Sequence, residues 1–136
     1  MIIVKGKVRG KARPRKGKHG FYTPNDTKSY EEIIRKEYIR QYNKKLEGPV
    51  EFILTIYKTK SKFTKKEKAL IGEDKYWCIT KPDTDNVVKL VLDALNKTAY
   101  DDDNQVVKIT AFKKWTIEDE RIEFIIQEIW KVSKLL

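Results

Sequence analysis

The sequence lacks most of the residues that disulfides, zinc sites and nucleotide-binding loops require. It contains one cysteine, Cys78, and one histidine, His19. A single cysteine forms no internal disulfide, and one Cys with one His does not make a zinc site. The chain has no Gly-x-x-x-x-Gly-Lys-Ser/Thr loop, which argues against nucleotide hydrolysis. We therefore interpret Cys78 as a small buried side chain in a reducing compartment, and His19 as a surface residue.

Long apolar runs are missing as well. No stretch approaches the roughly 18 apolar residues of a membrane span, and the N-terminus has no apolar signal-peptide run. The 136 residues suffice for one hydrophobic core, and three Trp, seven Tyr and five Phe argue against disorder. The sequence therefore predicts a cytoplasmic protein without a membrane partner, folded as one domain over residues 1–136.

Acidic residues are outnumbered by basic ones. The chain has 30 Lys and Arg against 20 Asp and Glu, which gives a net charge of +10 and a pI near 9.6. This balance indicates an acidic partner, with nucleic acid as the first choice. An anionic membrane surface is less favoured, because the sequence shows no basic amphipathic helix of the lipid-binding kind.

Alternation of apolar and polar residues predicts the strands. They are Ile2–Arg9, Val50–Tyr57, Val106–Trp115 and Arg121–Trp130. The short aromatic stretch 75–80 predicts either a further strand or an extended segment. Thr116-Ile117-Glu118-Asp119 has the length of a hairpin turn between the last two strands.

Helical spacing predicts two main helices. Ser29 and Glu32 form the pattern of a capping box, and this helix is expected to end near Lys45. Its tyrosines are interpreted as core residues. A second helix is expected from Thr84 or Asp85 to about Lys97. The predicted fold class is α+β, with a small mixed or antiparallel sheet of about four to five strands packed against two main helices.

Two basic segments stand out. Residues 10–20 are punctuated by glycines, and no acidic residue precedes Asp26. This pattern predicts either a solvated disordered loop or an arm that grips phosphates, and the net charge favours the arm. Its candidate DNA-binding residues are Arg9, Lys11, Arg13, Arg15, Lys16 and Lys18. The second segment, 58–68, holds six lysines and is a weaker signal, since lysine runs usually form solvated faces; its later part is expected to form a short helix.

An acidic island interrupts this basic chain. It holds six aspartates: Asp83, Asp85, Asp93, Asp101, Asp102 and Asp103. Only Lys89 and Lys97 are basic between the first and last of them. Crowded carboxylates resist ionisation unless a cation lies between them, and a hard divalent ion is the usual solution. The island therefore predicts a metal site in a protein that binds a polyanion.

A structural explanation competes with the metal site. At about 100° per residue, Asp85, Lys89 and Asp93 share one face of the second helix, so they also fit an ion-pair ladder. Asp83 or Asp85 equally fits an N-cap. Neither explanation covers the three consecutive acids at 101–103, which follow a helix C-terminus where negative charge is unfavourable.

The aspartates of the island would offer a metal ion only oxygen ligands, which limits the kinds of metal site that fit. An EF-hand loop starting at Asp83 needs Gly and Glu where the sequence has Val88 and Ala94. An all-aspartate site suits Mg²⁺, which would lower the pKa of a bound water and neutralise charge on a phosphate. Lys89 would contact that phosphate or balance the carboxylates.

The island also resembles a known family. The runs Asp83-Thr84-Asp85-Asn86-Val87-Val88-Lys89, Asp93-Ala94-Leu95-Asn96 and Asp102-Asp103-Asn104-Gln105-Val106 resemble the RusA-type Holliday-junction resolvases in order and spacing. The basic arm followed by Tyr22-Thr23-Pro24 and a helix is similar to the family too. Family members are small, often prophage-encoded endodeoxyribonucleases of DNA recombination and repair.

The resemblance implies a function and a set of site residues. It implies a homodimer that nicks four-way DNA junctions in symmetric pairs with Mg²⁺, or with Mn²⁺ in its place. The family's metal-binding aspartates fall on Asp83, Asp85 and Asp103, with Asp102 as an additional candidate, and its essential lysine falls on Lys89. Asp101 is an extra acid that the pattern does not require.

Two other functions stay open at this point. One is a DNA-binding protein without nuclease activity, whose acids are structural; it would bind with strong salt dependence and not cut. The other is a nuclease of broader range that cuts flaps or replication forks. The position of Asp103 relative to Asp83 and Asp85 helps to distinguish a nuclease from the non-catalytic protein.

Overall fold

Six strands and three α-helices make up the fold in the computed structural model, which describes residues 1–22 and 24–130. The strands are β1 (Ile2–Lys5), β2 (Arg15–Gly17), β3 (Gly20–Tyr22), β4 (Val50–Lys58), β5 (Val106–Trp115) and β6 (Arg121–Glu128). The helices are α1 (Asn25–Gln41), α2 (Lys65–Gly72) and α3 (Thr84–Leu95), and a 3₁₀ turn, Asp103–Gln105, precedes β5.

Four of the strands form a mixed sheet in the order β1-β6-β4-β5. β6 is antiparallel to both β1 and β4, whereas β4 and β5 are parallel and are joined by the connection that contains α2 and α3. β2 and β3 form a separate antiparallel hairpin. The predicted α+β class, with a small sheet against two main helices, is therefore confirmed.

One face of the sheet carries the core. In β4 the buried side chains alternate with partly exposed ones, so Phe52, Leu54 and Ile56 point toward α1 and α3. α3 buries an apolar stripe and leaves its polar face outside. Its buried residues are Val87, Leu90, Val91, Leu92, Ala94 and Leu95. Burial of this stripe fixes which face of α3 presents its charged residues.

Strand positions agree with the sequence patterns, with shorter ends. β1 ends at Lys5 instead of Arg9, and β6 ends at Glu128 instead of Trp130. Residues 75–80 form the predicted extended segment, which has one isolated bridge, Trp77 to Lys114, beside β5. The expectation of a loop over residues 10–20 was wrong in part, because Arg15–Tyr22 folds into the β2–β3 hairpin.

Helix boundaries differ more from the predictions. α1 begins at Asn25, directly after Pro24, so the predicted capping box at Ser29 was wrong; Pro24 needs no amide hydrogen at this position. α1 ends at Gln41 and α3 at Leu95, each before the expected residue. The capping box lies instead at α2, where Thr64 and Glu67 exchange hydrogen bonds. Thr23 of the family-like run lies outside the described residues.

The predicted burial of the cysteine and of the tyrosines of the first helix is observed in most cases. Tyr30 and Tyr38 of α1 lie in the core, whereas Tyr42 is exposed. Cys78 is buried and His19 is exposed. Within the described ranges, no helix has both the length and the apolar character needed to cross a membrane.

Candidate active site and nucleic-acid interface

The start of α3 is fixed to the sheet by a lysine of β5. The ammonium of Lys113 donates hydrogen bonds to the carbonyls of Thr80 (2.6 Å) and Pro82 (2.8 Å). Asp83 then takes the N-cap position in an extended conformation, but its side chain makes no capping hydrogen bond. The carboxylate of Asp83 therefore remains exposed at the positive end of the helix, where negative charge is favoured.

The polar face of α3 does not form the ion-pair ladder. Asp85 and Lys89 are exposed, and neither makes an ion pair within the described part of the chain. Asp93, the third member, is half-buried and pairs with Lys11 at 3.1 Å. The alternative in which Lys89 links the two aspartates is therefore not what this structure shows.

Lys11 joins the basic arm to both main helices. Its ammonium contacts Glu31 of α1 at 2.7 Å and Asp93 of α3 at 3.1 Å. Burial alone would lower the pKa of Lys11, but the hydrogen bonds and charges of the two acids outweigh it and raise the pKa. Its backbone amide also donates to the carbonyl of Asn86 at 2.9 Å. Lys11 is thus held in place by acidic partners within the protein.

Gly10 lets the arm lie directly on α3. A Cβ at this position would be 3.0 Å from the Cβ of Asn86 and 3.2 Å from that of Pro82. A side chain here would push the arm away from the helix start, so glycine is required for close approach. This contact places the arm beside Asp83.

The 101–103 acids are organised by Gln105. Its side-chain oxygen accepts hydrogen bonds from the amides of Asp101 (2.9 Å) and Asp102 (3.2 Å), and its nitrogen donates to the carbonyl of Gly48 at 3.1 Å. Asp102 accepts a hydrogen bond from the amide of Asn104 at 3.0 Å and caps the 3₁₀ turn. Gln105 therefore ties the acidic loop to the segment before β4.

Charge neighbours show where this loop lies. The hydrogen bond from the Asn104 amide lowers the pKa of Asp102. Partial burial, the hydrogen bond with Asp102 and the charges of Asp102 and Asp93 raise the pKa of Asp103. Asp103 is therefore within electrostatic range of the C-terminal turn of α3. Asp85 lies eight residues before Asp93, so an axial rise of about 12 Å separates these two residues, which lie at opposite ends of α3.

The six aspartates fall into two sets. The paired set has partners inside the protein: Asp93 with Lys11, Asp101 with Lys45 at 2.7 Å, and Asp102 with the Asn104 amide. The unpaired set consists of Asp83, Asp85 and Asp103, which make no ion pair among the described residues; Asp103 hydrogen-bonds with the neighbouring acid Asp102. Among those residues, no three His, Cys, Asp or Glu side chains form a group able to hold one ion. The unpaired carboxylates are thus not gathered at one point.

A basic cleft of about 560 Å³ adjoins Asp83. Its basic lining residues are Lys7, Arg9, Lys11, Arg15, Lys58 and Lys81. Arg9 also contacts Asp26 at 3.5 Å. Three of the six predicted DNA-binding residues, Arg9, Lys11 and Arg15, therefore line this cleft. The other three, Arg13, Lys16 and Lys18, are exposed on the arm and its hairpin.

Several residues of the site carry no clear sequence signal. Lys7, Lys58 and Lys81 come from three distant segments and meet only through the fold. Lys113 looks like an ordinary strand lysine, and only the structure shows its contacts before α3. Gln105 stands in the family-like motif, which signals its importance but not its role as the clamp of the acidic loop.

Comparisons with known proteins cover almost the whole chain. Residues 4–127 match the family model described as Endodeoxyribonuclease RusA. The chain is also 32% identical over 142 residues to the uncharacterized protein YqaN of Bacillus subtilis (strain 168), covering 93% of this chain and 90% of that protein. The matched residues include the basic arm, all of α3 and the acidic loop.

Proposed function

Because the chain belongs to the RusA endodeoxyribonuclease family, we propose that it is a Mg²⁺-dependent endonuclease that resolves four-way DNA junctions by paired phosphodiester hydrolysis. The observation that carries the proposal is the position of Asp83. Asp83, an exposed carboxylate without a basic partner among the described residues, lines a cleft that also contains six lysines and arginines, whereas the other acid of its lining, Asp26, contacts Arg9. A polyanion in that cleft would lie beside the carboxylate, which needs a cation to tolerate it.

We assign the unpaired set to the metal. Asp83, Asp85 and Asp103 offer hard oxygen ligands that no lysine or arginine of the described chain neutralises, and such donors suit Mg²⁺ and also Mn²⁺, but in the described structure the three carboxylates do not form one group around a single ion. Asp102 is an additional candidate, although its hydrogen bond from the Asn104 amide gives it a structural task. When bound, the ion would act as a Lewis acid toward the scissile phosphate.

The protein's own side chains supply binding and charge balance. Arg9 and Arg15 in the cleft would hold the DNA backbone, which fixes the position of the DNA without reading its sequence. Lys89, exposed one turn beyond Asp85, would stabilise the negative charge that develops on the phosphate during hydrolysis. The fixed start of α3 keeps Asp83 beside the bound backbone.

Paired nicks require two active sites on one junction. Each chain offers one unpaired set, so resolution in a single binding event requires two copies related by a two-fold axis. We therefore propose a homodimer as the active species. We also propose that the protein acts in the cytoplasm, where it would meet its substrate, branched DNA formed in recombination and repair.

One observation favours a second candidate function. Asp103 lies near Asp93, and the described side chains form no group of three ligands for one ion. A branched-DNA-binding protein without nuclease activity would show the same basic cleft and would need no shared ion. Both candidates predict junction binding, and only the first predicts cutting.

The decisive experiment compares substrates with and without divalent metal. The purified protein is incubated with a synthetic four-way junction, a flap, a fork and a matched linear duplex, in Mg²⁺, Mn²⁺ or EDTA. Paired nicks in the junction that EDTA abolishes are expected. Equal cutting of flaps and forks would indicate a broader nuclease, and tight junction binding without cutting in either metal would establish the non-catalytic alternative.

A further inference from the structure

The connection between β4 and α3 begins and ends beside the basic cleft. Lys58 lines the cleft at its start, and Lys81 lines it at its end. Between them, residues 59–80 contain α2, six lysines and three acids. We call this stretch the basic excursion. Both of its ends therefore lie at the proposed DNA-binding surface.

Burial does not explain α2, because none of its residues is buried. It is held instead by contacts at its N-terminal end. Phe63 packs edge-on against Trp115 with ring centroids 5.8 Å apart, and the Lys60 ammonium lies 5.1 Å from the Phe63 ring centre. The Tyr76 hydroxyl donates to Glu67 at 2.6 Å. These contacts hold an exposed helix in a defined position without adding to the core.

All three acids of the excursion are already paired. Glu67 contacts Lys60 at 2.8 Å, Glu73 contacts Lys75 at 3.3 Å and Asp74 contacts Lys114 at 3.1 Å. The hydrogen bonds from Lys60, the Thr64 amide and Tyr76 lower the pKa of Glu67 to about 2. No acid of the excursion is therefore left to balance further lysines.

Four lysines of the excursion remain without an ion pair in the described part of the chain: Lys62, Lys65, Lys66 and Lys68. Glu67, Leu70 and Ile71 are the partly covered positions of α2. At about 100° per residue, Lys65 lies on the opposite side of the helix, and Lys66 and Lys68 lie on its two flanks. Lys62 precedes the helix. These four exposed residues, which we call the α2 lysines, thus surround the outward side of α2 with positive charge.

We propose that the α2 lysines form a second DNA-binding surface, which contacts the phosphate backbone of a duplex arm leaving the basic cleft; this inference rests on the proposed function. Charge complementarity carries it, because four unbalanced ammonium groups on a held helix match a polyanion. The outward side of α2 is completed by Ala69 and Gly72, which offer no groups for reading base edges. The surface therefore binds DNA without regard to sequence.

The test replaces all four α2 lysines by glutamine. The matched control replaces four exposed basic residues on and after α1: Lys28, Lys36, Arg40 and Lys44. Binding to a four-way junction and to a linear duplex is measured by fluorescence anisotropy in EDTA over a range of salt concentrations. Because EDTA prevents cutting, the result does not depend on whether the protein is a nuclease.

The α2 variant should reduce the magnitude of the negative slope of log Kobs against log salt concentration. The expected reduction is roughly 0.9 for each lost phosphate contact, which gives a total change of slope of about two to four. At a fixed low salt concentration we expect binding at least about tenfold weaker. The control should change the slope by less than about one. Replacing the same lysines by arginine should restore the slope, which separates lost charge from lost folding.

Equal slopes for the α2 variant and the control would overturn the proposal. Vesicles containing anionic lipid serve as a second probe, and lysine-dependent vesicle binding with an unchanged DNA slope would overturn it as well. The two proposals can fail separately. If the α2 variant shows the predicted change of slope but the parent does not cut junctions in Mg²⁺, the proposed nuclease function fails and the α2 surface remains supported.

Discussion

The paired and unpaired sets of aspartates use the same side chain for different purposes. Asp93 contacts Lys11 and Asp102 caps a turn, so these two carboxylates hold the arm and the acidic loop in place, whereas Asp101 contacts Lys45 at the exposed surface. Asp83, Asp85 and Asp103 have no such basic partner. The comparison teaches that, in an acid-rich segment, the acids without internal partners are the better candidates for chemistry.

Asp85→Asn should give the largest effect. We expect a loss of junction cutting of at least about 10³-fold, because the variant removes the charge of a proposed metal ligand. Junction binding in EDTA and the unfolding midpoint should stay near those of the parent, since Asp85 makes no ion pair in the described structure. Gel assays of nicking and anisotropy measure the two properties; a variant that still cuts would break the assignment.

Lys89→Gln should have the next largest effect. Lys89 is exposed and free of ion pairs among the described residues, so its charge is available to the phosphate. We expect about 10²-fold slower nicking with little change in junction affinity, because the charge acts mainly on the transition state. Lys97→Gln, another exposed lysine of the acidic segment, is the control. Single-turnover rates at saturating protein measure the change, and equal rates for both variants would contradict the role of Lys89.

Gln105→Ala tests whether the acidic loop must be held in place. The change leaves the amides of Asp101 and Asp102 and the carbonyl of Gly48 without their side-chain partner. We expect a loss of about 1–2 kcal/mol in unfolding free energy and about tenfold slower nicking. Urea unfolding and nicking rates measure the two effects. Unchanged nicking in a destabilised variant would show that the loop serves the fold alone.

Much of the fold could be predicted from the sequence, because alternating apolar residues specify β4 and β6 directly. The helix ends were less readable. The Ser29 pattern suggested a cap, yet the N-cap of α1 is Pro24, five residues earlier, where proline needs no amide partner. The β2–β3 hairpin was missed because its strands are only three residues long and form no apolar pattern.

The candidate site was readable in its residue types but not in its pairings. The acidic motif identified the aspartates, whereas the partners that separate the two sets come from distant segments. Lys11 lies 82 positions before Asp93 in the chain, and Lys113 reaches back to Pro82 from another strand. Such contacts depend on how the elements pack, so residue spacing within one segment does not reveal them.

Glu120→Gln extends the comparison to a paired acid outside the island. Burial alone would raise the pKa of Glu120, but hydrogen bonds from the Val8 amide, Lys58 and the Thr59 amide together lower it below 4.5. A lowered pKa in the folded state means that this stabilisation is present above the unfolded pKa and is lost as pH falls through the folded value.

We expect Glu120→Gln to reduce the unfolding free energy by about 1–2 kcal/mol near neutral pH. The difference from the parent should begin to shrink below about pH 4.5, where the unfolded chain binds the proton, and should be lost as pH falls through the lower pKa of Glu120 in the folded protein. Urea unfolding at several pH values measures it. A difference that does not depend on pH would show that the ionised form of Glu120 is not what stabilises the fold.

Asp101→Asn should give the smallest effect, although Asp101 belongs to the most acidic run of the chain. Its ion pair with Lys45 joins two exposed side chains, 79% and 52% accessible, and solvent screens such pairs strongly. The family-like motif does not require this acid either. We expect nicking rates and the thermal midpoint to match those of the parent. A loss of nicking as large as that of Asp85→Asn would instead place Asp101 among the acids that act on the substrate. The division of the aspartates into a paired and an unpaired set would then be wrong.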